Sequence, residues 1–491
     1  MNSHRLLIRA DASPGIGAGH IMRCIALAQA WQSNGGDSLF VCSELPTVLE
    51  DRLREEGFQC ERLEVTPGSN ADIEMTVGFG IDWGATHAVV DGYPLGLHGQ
   101  SLRKVTPIVL GIDDHGLTGH RGVSQILDQN LGASSHHYPG VPSLLGTRYS
   151  LIRREFLSSQ SPNKPDNHST DLLITMGAGD PENHTHSILQ ALEHFETNLA
   201  GTVIVGPANP SGPDILAFAK QSRHHWAVCT NPQNIPKLMV EAGLAISAAG
   251  STSWELAMLG IPAILIAIAD NQQLIAQALA KAKAAFNGTG LSGSKLCALL
   301  SKLLTNPNLR HRTSTIGMEL IDGHGASRVV EHLTGSYLEV RQAASQDCLW
   351  YWQLVNESLV RSSAINTEPI SWEAHTSWFN SRLVDPETIL LVGLDSEGHR
   401  VGQIRFGQMG SNFEIDFSIV PNERGKGIAS HLLERGMMFC FRRNPNVTFS
   451  ARVRRENLPS ARAFLRTGFL ELGSQIVDGN TLLLFQKGFN Q

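Results

Sequence analysis

Short apolar runs alternate with amphipathic segments over the first 157 residues of the chain. Four of these runs are typical of buried strands: Arg5–Asp11, Asp37–Ser43, His87–Asp91 and Pro107–Asp113. Between the first two, Ile21–Trp31 carries apolar residues at helical spacing. Strands that alternate with helices favour a parallel sheet covered on both faces. The pattern therefore predicts a doubly wound α/β domain over residues 1–157.

The alternation begins again after a polar stretch, Ser158–Thr170, which we interpret as a linker. The predicted strands are Leu172–Met176, Thr202–Gly206, Ala227–Cys229, Leu244–Ser247 and Ala263–Ile268, and the predicted helices include Ile215–Gln221, Ser253–Leu259 and the long stretch Leu291–Leu333. This pattern predicts a second doubly wound domain over residues 158–334. Two such domains are expected to face each other across a cleft, with ligands beyond the carboxyl ends of the strands.

The order of elements changes from about Gly335 onward. Helical patterns come first, and three antiparallel-looking strands follow at Ile389–Leu394, Arg400–Phe406 and Asn412–Val420. The sequence thus predicts a third domain of the α+β class over residues 335–491.

Composition and charge exclude several classes of protein. The 491 residues carry a net charge of −7 without a basic stripe, which argues against nucleic acid as a partner. No apolar run reaches the roughly 20 residues that span a bilayer, and the N-terminus enters a strand directly, so we expect neither a membrane segment nor a signal peptide. Seven scattered cysteines without a C-x-x-C pair indicate reduced thiols and a cytoplasmic location.

A glycine-rich turn joins the first predicted strand to the first predicted helix. Asp11 ends the strand, Gly17 and Gly19 allow close approach of the backbone, and His20 opens the helix. The free N–H groups of a helix start favour an anion and disfavour imidazolium, so we expect a neutral His20 that can accept a proton. The alternative is a histidine that only caps or packs the helix.

Two further turns in the second domain suit a nucleotide. Met176–Asp180 follows a strand and precedes a helix, and Ser247–Glu255 combines a glycine turn with hydroxyls and a carboxylate. Gly250 permits close approach, and Ser251 and Thr252 present donors at a helix start. Glu255 can accept from both hydroxyls of a ribose. The alternative makes these residues a helix cap and a solvated carboxylate.

Several ordered blocks of the first 330 residues resemble those of the UDP-2,4-diacetamido-2,4,6-trideoxy-β-L-altropyranose hydrolases of pseudaminic acid biosynthesis. The blocks are Arg9–Cys24, Asp91–Tyr93, Ile112–Asp114 and Gly146–Phe156. The resemblance implies a GT-B architecture with two Rossmann-like domains and the sugar nucleotide between them. It also implies the following roles. Catalytic residues are His20, Asp11 and Tyr93; residues that bind substrate or UDP are Gly17, Gly19, Arg23, Gly177, Gly179, Gly250, Ser251, Thr252, Glu255, Asn271 and Gln272.

Leaving-group chemistry indicates how such a site works. UDP carries its charge without protonation, whereas water is a poor nucleophile and needs a base. We therefore expect His20 to deprotonate a water that attacks C1 of the sugar with inversion. We expect no metal, because His136–His137 and His224–His225 are adjacent pairs whose side chains point apart and are typical of solvated loops.

The third domain contains a loop whose successive N–H groups can form a nest at a helix start, Arg424–Ala429. This loop resembles the R-x-x-G-x-(G/A) signature with which the GNAT superfamily holds coenzyme A. Asn457–Phe469 resembles that superfamily's N-x-x-(S/A)…G-F segment, and Pro369–Phe379 resembles the acetyltransferase of the same sugar pathway. The implied acetyl-CoA contacts are Ile419, Val420, Arg424, Gly425, Lys426, Gly427, Ile428, Ala429, Asn457 and Phe464. The alternative is an ordinary glycine-rich turn.

One residue departs from the superfamily pattern. Phe464 stands where many members have a tyrosine that protonates the leaving thiolate. Another donor or water then serves, or catalysis depends mainly on positioning the amine near the thioester. Glu414 and Asp416 are candidate bases, with surface carboxylates as the alternative for each.

Both resemblances together predict a bifunctional enzyme. The C-terminal domain would acetylate the 4-amine of a UDP-amino-sugar, and the N-terminal domains would then remove UDP, in the biosynthesis of a nonulosonic acid used in flagellin glycosylation. One alternative is a GT-B glycosyltransferase with an acetyl-CoA-binding regulatory domain. The stereochemistry of the sugar, the oligomeric state and any channelling between sites are left open.

Overall fold

The computed structural model describes residues 4–13, 16–159, 170–177, 179–206, 209–232, 234–335, 337–364, 366–395, 397–410, 412–441, 447–477 and 479–488. The chain divides into two compact units, Met1–Val330 and Glu331–Gln491. Most of the predicted linker, residues 160–169, lies outside the described residues.

The first domain is built on a seven-stranded parallel sheet with the order β3-β2-β1-β4-β5-β6-β7. Its strands are β1 Arg5–Ala10, β2 Asp37–Cys42, β3 Gln59–Arg62, β4 His87–Asp91, β5 Val109–Ile112, β6 Gln125–Asp128 and β7 Ser143–Leu145; its helices are α1 Gly19–Ser33, α2 Thr47–Glu55, α3 Asn70–Trp83, α4 His98–Leu102 and α5 Arg154–Leu157. The strand order reverses between β1 and β4. The turns that follow these two strands therefore border the crevice in which such sheets bind ligands.

The second domain has a six-stranded parallel sheet with the order β10-β9-β8-β11-β12-β13. Its strands are β8 Leu172–Thr175, β9 Ala200–Val205, β10 His225–Thr230, β11 Leu244–Ala248, β12 Ala263–Ile266 and β13 Phe286–Asn287; the helices are α6 His184–Leu192, α7 Gly212–Gln221, α8 Ile235–Glu241, α9 Thr252–Met258, α10 Asp270–Lys281, α11 Gly293–Leu304, α12 Pro307–Leu320 and α13 Gly325–Leu333. Here the order reverses between β8 and β11, and both predicted nucleotide turns follow these strands. The pair of doubly wound domains confirms the α/β fold class.

Some elements differ from the sequence-based expectation for clear physical reasons. The edge strand β3 has the polar sequence QCER, so it carries no apolar run. The predicted helical stretch Leu291–Leu333 consists of three helices, α11, α12 and α13. Asn306 and Pro307 begin α12, because the Asn306 side chain accepts from the amide of Leu309 and proline fits the first turn of a helix.

The second unit contains a mixed seven-stranded sheet with the order β14-β15-β16-β17-β18-β20-β19. Its strands are β14 Glu339–Gln342, β15 Thr388–Leu394, β16 Arg400–Met409, β17 Asn412–Ile419, β18 Thr448–Arg454, β19 Leu470–Val477 and β20 Asn480–Gly488; its helices are α14 Cys348–Val355, α15 Ser358–Ser363, α16 Trp372–Val384, α17 Ile428–Phe441 and α18 Leu458–Arg466. This confirms the α+β class predicted for the third domain.

The three strands predicted as antiparallel correspond to β15, β16 and β17, and they are antiparallel. The pairing of β17 with β18, for which the sequence made no prediction, is different. These strands are parallel, and they pair only over Asn412–Glu414 and Thr448–Ser450. Beyond these residues the two strands diverge, while β17 remains paired with β16 up to Ile419 and β18 with β20 up to Arg454. A gap therefore opens in the sheet next to the loop that precedes α17. No helix within the described ranges has the length and apolar character needed to cross a membrane.

Candidate functional site

His20 lies in the first turn of α1, and its side chain is buried with 8% of its surface exposed. The imidazole contacts the ring of Tyr93 edge-on, with 5.4 Å between ring centroids. His20 Nδ1 is buried and makes no hydrogen bond to the described residues. A Cβ on Gly92 would lie 4.0 Å from this nitrogen. One ring nitrogen of His20 is therefore left without a hydrogen-bond partner among the described residues.

A buried ion cluster lies one turn further along α1. Arg23 donates from Nε and Nη2 to the two carboxylate oxygens of Asp91, at 2.7 and 2.6 Å. Its Nη1 donates to Asp114 Oδ1 at 3.0 Å. We call Arg23, Asp91 and Asp114 the Arg23 cluster. The guanidinium of Arg23 is thus engaged by a carboxylate on both sides, and its predicted contact with the substrate stays a prediction.

The electrostatics of this pocket keep His20 neutral. Burial lowers the pKa of His20 below 6.5, and Arg23 lowers it further, while Asp91 and Asp114 act in the opposite direction. The lowered pKa agrees with the neutral His20 that the sequence predicts. The main physical cause, however, is burial rather than the field of the helix start.

Tyr93 links the His20 pocket to the second domain. Its hydroxyl donates to Asp114 Oδ2 at 3.2 Å and accepts from Asn271 Nδ2 at 2.8 Å. Asn271 lies in the first turn of α10, so the second domain supplies a polar group to the pocket. Burial and Asp114 both raise the pKa of Tyr93, which keeps the phenol protonated. The structure thus brings together His20, Tyr93 and Asn271, three of the residues predicted from the sequence.

The side chain of Asp11 is engaged by backbone amides and by an arginine. Its Oδ1 accepts from the backbone amides of Ser43 and Glu44 at 2.7 and 3.0 Å, and it also pairs with Arg9 at 2.7 Å. These contacts fix the loop after β2 to the end of β1. A catalytic contribution of Asp11 stays a prediction.

Glu255 forms a buried ion pair that the sequence does not reveal. Arg153 donates from Nε and Nη2 to Glu255 Oε1 at 3.1 and 2.8 Å. Burial raises the pKa of Glu255, and Arg153 counteracts this effect. Oε2 makes no hydrogen bond to the described residues, so one oxygen is left for the predicted ribose contact. Arg153 is therefore a positioning residue for Glu255.

The two nucleotide turns differ in what they offer. At the first turn, Asp180 accepts from the amides of His184 and Thr185 at 2.8 and 2.9 Å. The Asp180 carboxylate therefore occupies the N-terminus of α6. Of the predicted phosphate contacts in this turn, the loop residues Gly177 and Gly179 are left. Ala178, between them, lies outside the described residues.

The second turn brings two predicted residues side by side. A Cβ on Gly250 would approach Gln272 Nε2 to 3.6 Å, so these two predicted residues are neighbours. Gln272 Oε1 accepts from the amide of Ile268 at 3.1 Å, which directs its Nε2 away from the backbone. Ser251 and Thr252 begin α9 beside them.

The loop before α17 depends on two glycines. Gly425 and Gly427 have φ values of +80° and +86°, and a Cβ on either would meet no atom within 4 Å. The left-handed conformation favours glycine, and successive amides of such a turn can form an anion-binding nest. Arg424 instead donates to Ile419 O at 3.0 Å and to Glu357 Oε2 at 2.5 Å. Its guanidinium therefore fastens the loop to α15, and its predicted contact with acetyl-CoA stays a prediction.

Two other predicted acetyl-CoA contacts have structural roles. Asn457 Oδ1 accepts from the amide of Ser460 at 3.3 Å and caps α18. Phe464 is 2% exposed and stacks on Phe485 with 5.6 Å between centroids. Because Phe464 fills the core, its contact with the cofactor stays a prediction.

Both candidate bases of the second unit have cationic partners. Arg452 Nε donates to Glu414 Oε1 at 2.5 Å, and Arg405 lies 3.4 Å from Asp416 Oδ2. Glu414 and Asp416 alternate along β17, so they lie on the same face of the sheet. Both are partly exposed, which allows an amine to approach either one.

Asp91, Asp114 and Arg153 are site residues that sequence reasoning missed. All three lie in segments that were singled out, but no role was assigned to them. A signal was present at Asp91, because a carboxylate at the end of a wholly buried strand requires a cation or several donors.

Comparison with known proteins gives two domain matches and several relatives. Residues 338–470 match the family model described as an acetyltransferase (GNAT) domain, and residues 161–321 match that of a glycosyltransferase family 28 C-terminal domain. An uncharacterised protein of Methanocaldococcus jannaschii is 21% identical over 502 residues, which cover 95% of this chain and 96% of that protein.

Two further comparisons concern the first unit. The UDP-2,4-diacetamido-2,4,6-trideoxy-β-L-altropyranose hydrolase of Campylobacter jejuni is 26% identical over 284 residues, which cover 56% of this chain and 96% of the hydrolase. The crystal structure of MurG from Acinetobacter baumannii superimposes with a TM-score of 0.49 and 18% identity, over 67% of this chain and 99% of MurG.

Proposed function

We propose that this chain, in which a GT-B-like pair of doubly wound domains precedes a GNAT acetyltransferase domain, is a bifunctional enzyme of pseudaminic acid biosynthesis. The first unit hydrolyses a UDP-2,4-diacetamido-2,4,6-trideoxy-hexose at C1 and releases UDP and the free sugar. The second unit acetylates the 4-amine of the precursor from acetyl-CoA. The similarity to the Campylobacter hydrolase supports the first assignment, and the GNAT match supports the second.

The observation that carries the hydrolase assignment is the state of His20. A neutral, largely buried imidazole is suited to take a proton from water. Water then adds to C1 as the C1–O bond breaks, and UDP departs as an anion without protonation. As His20 becomes imidazolium, Asp91 and Asp114 stabilise its charge, because two carboxylates outweigh the single cation of Arg23. His20 thus takes the proton, and the two carboxylates of the Arg23 cluster stabilise the positive charge that the imidazole gains.

The pH dependence of UDP release should report this base. His20 must be neutral to act, and its pKa lies below 6.5. We expect kcat/KM for UDP release to stay level from about pH 8 down to 6.5 and to fall only in more acidic solution, because kcat/KM follows the free enzyme. Acetyl transfer measured at the same pH values is the control for unfolding. A decline that is centred above pH 6.5 contradicts the assigned base.

The acetyltransferase assignment depends on two features of the second unit. The glycine loop before α17 offers outward amides to a pyrophosphate. The gap between β17 and β18 leaves facing peptide groups without strand partners, and the amides of a pantetheine arm can satisfy them. The 4-amine then attacks the thioester carbonyl and loses one proton to solvent or to a carboxylate such as Asp416. As the C–S bond breaks, coenzyme A leaves as the thiolate and takes a proton from solvent. Positioning the two reactants is the main contribution of the protein.

Replacement of Gly427 by aspartate should weaken acetyl-CoA binding selectively. The variant places a negative charge beside the pyrophosphate and strains a backbone with φ of +86°. We expect the Kd for acetyl-CoA to rise at least about tenfold, since left-handed strain alone costs about 1–2 kcal/mol. Calorimetric titration with acetyl-CoA measures the change.

Two controls separate strain from charge. Gly427→Ala introduces the strain without the charge, so its effect should be smaller. Gly410→Asp makes the same substitution at φ of +67° in the exposed turn between β16 and β17, at the opposite end of β17 from the loop, and should leave Kd unchanged. Equal affinity of Gly427→Asp and the wild type refutes the cofactor loop.

Mass spectrometry of reaction mixtures tests both activities. The purified chain is incubated with a UDP-2,4-diacetamido sugar alone, and separately with the UDP-4-amino sugar and acetyl-CoA. We expect free sugar and UDP in the first mixture and a mass gain of one acetyl group in the second. If UDP appears only when a sugar acceptor is added, the first unit is a glycosyltransferase and the hydrolase assignment fails.

A further inference from the structure

Three side chains of metal-ligand type converge at the carboxyl edge of the first sheet. One ligand atom each from His115, Asp128 and His137 lies within 4.8 Å of the other two. We propose that these residues bind a divalent cation of borderline softness, with Zn²⁺ as the best fit. We call this group the 115–137 site. It is separate from the proposed reactions, so it stands or falls independently of them.

His115 is held close to Asp128 by the backbone as well as by the side chain. Its amide donates to Asp128 Oδ2 at 3.1 Å, and its Nδ1 lies 3.8 Å from the same oxygen. The side chain is 11% exposed, and Nε2 is buried without a hydrogen bond to the described residues. A buried imidazole nitrogen without a partner costs free energy, and a metal ion is one way to recover it.

His137 approaches His115 and Asp128 from a 3₁₀ turn, Ser135–His137. Its ring is perpendicular to that of His115, with 6.0 Å between centroids. The approach depends on Gly116, because a Cβ there would come within 3.2 Å of His137 Cβ. The adjacent His136 points elsewhere, and its Nδ1 bonds to Ser134 Oγ at 3.0 Å. His136 and His137 therefore differ in the structure: His137 joins the cluster with His115 and Asp128, whereas His136 bonds to Ser134.

Other groups hold the carboxylate of Asp128 in place. Tyr138 donates to Oδ2 at 2.9 Å, and Asn130 donates to Oδ1 from its amide and its side chain at 3.1 and 2.9 Å. Hydrogen bonds of this kind orient carboxylate ligands in metal sites. Asn130 also donates to Asp114 at 2.8 Å, which connects the 115–137 site to the Arg23 cluster.

The donor set selects the class of ion. Two imidazole nitrogens and one carboxylate oxygen suit Zn²⁺, with water in the fourth position. Bonds of about 2.0–2.1 Å in a tetrahedron separate the ligand atoms by about 3.4 Å, so the three groups must close by about 1 Å. His137 is exposed and lies in a short turn, so it is the residue that moves. A bound ion would then tie the loops after β5 and β6 together.

The test uses the full chain without an affinity tag, stripped with a chelator and titrated with Zn²⁺ by calorimetry and with Co²⁺ by visible absorption. We expect about one Zn²⁺ per chain and a rise in the melting temperature. His137→Ala should raise Kd at least about tenfold, because it removes a ligand rather than a supporting group.

His136→Ala is the matched control, since it removes an exposed neighbouring histidine outside the site. It should bind Zn²⁺ like the wild type. The inference is overturned if the wild type takes up no Zn²⁺, if His137→Ala binds as tightly as the wild type, or if both variants lose binding equally.

Discussion

Replacing His20 by alanine should lower the rate of UDP release about 10²–10⁴-fold, the range that a positioned general base contributes. The variant removes the imidazole that would take the proton from water and leaves UDP to bind at the second domain. We therefore expect kcat to fall while the Kd for UDP stays within a few-fold. Steady-state release of UDP from the diacetamido sugar nucleotide measures the first quantity, and calorimetry the second.

The chain provides its own control for this variant. Acetyl transfer, assigned to the second unit, should continue at the wild-type rate, and an unchanged Kd for UDP shows that the first unit has folded. If His20 only packs or caps α1, the variant loses stability but retains UDP release per folded molecule. Retention of more than about a tenth of kcat would therefore assign His20 a structural role.

Replacing Arg23 by methionine should destabilise α1 and its surroundings by about 3–5 kcal/mol, because it leaves Asp91 and Asp114 buried without a cation. Methionine preserves much of the volume, so the loss is mainly electrostatic. Hydrogen exchange of the α1 amides measures the free energy of local opening, which suits a chain of several domains. Protection of these amides should fall by more than two orders of magnitude.

The direction in which the stability loss of Arg23→Met changes with pH shows whether the loss is electrostatic or due to packing. In the wild type, burial raises the pKa of Asp114 but Arg23 outweighs it and holds the value at about 2, below the ordinary 3.8. Without Arg23, burial should raise this pKa above 3.8, and the folded state then takes up protons. The stability deficit should therefore be largest at neutral pH and shrink as the solution is acidified.

An exposed arginine offers a matched control. Arg54 also pairs with two acidic residues, Glu50 and Asp51, but its side chain is 64% exposed. Arg54→Met should change stability by no more than about 0.5 kcal/mol. If Arg23→Met costs as little, or if its deficit does not depend on pH, the Arg23 cluster does not stabilise the fold through charge.

Sequence reasoning located the doubly wound domains because their central strands are buried on both faces. β1 and β4 have continuous apolar runs, whereas the edge strand β3 is polar and β13 has only two residues. The parallel contact of β17 with β18 was not predictable, because register between distant strands leaves no local pattern.

The candidate site also combines features with a local sequence pattern and features that depend on residues distant in the sequence. His20 and Gly427 could be proposed as site residues because each lies in a turn with a local sequence signature. The roles of Arg23 and Glu255 depend on partners remote in sequence: Asp91 is 68 residues from Arg23, and Arg153 is 102 residues from Glu255. A single sequence shows that a buried charge needs a partner, but only the fold shows which partner it has.

The hydrogen bond between Asn271 and Tyr93 limits how this enzyme can be recombined. A chimera that joins the first domain of this chain to the second domain of a relative inherits the phenol from one parent and the amide from the other. Unless both parents place these groups alike, the hybrid loses the contact although each domain folds. Domain exchange in this architecture must therefore carry α10 and the turn after β4 as a matched set.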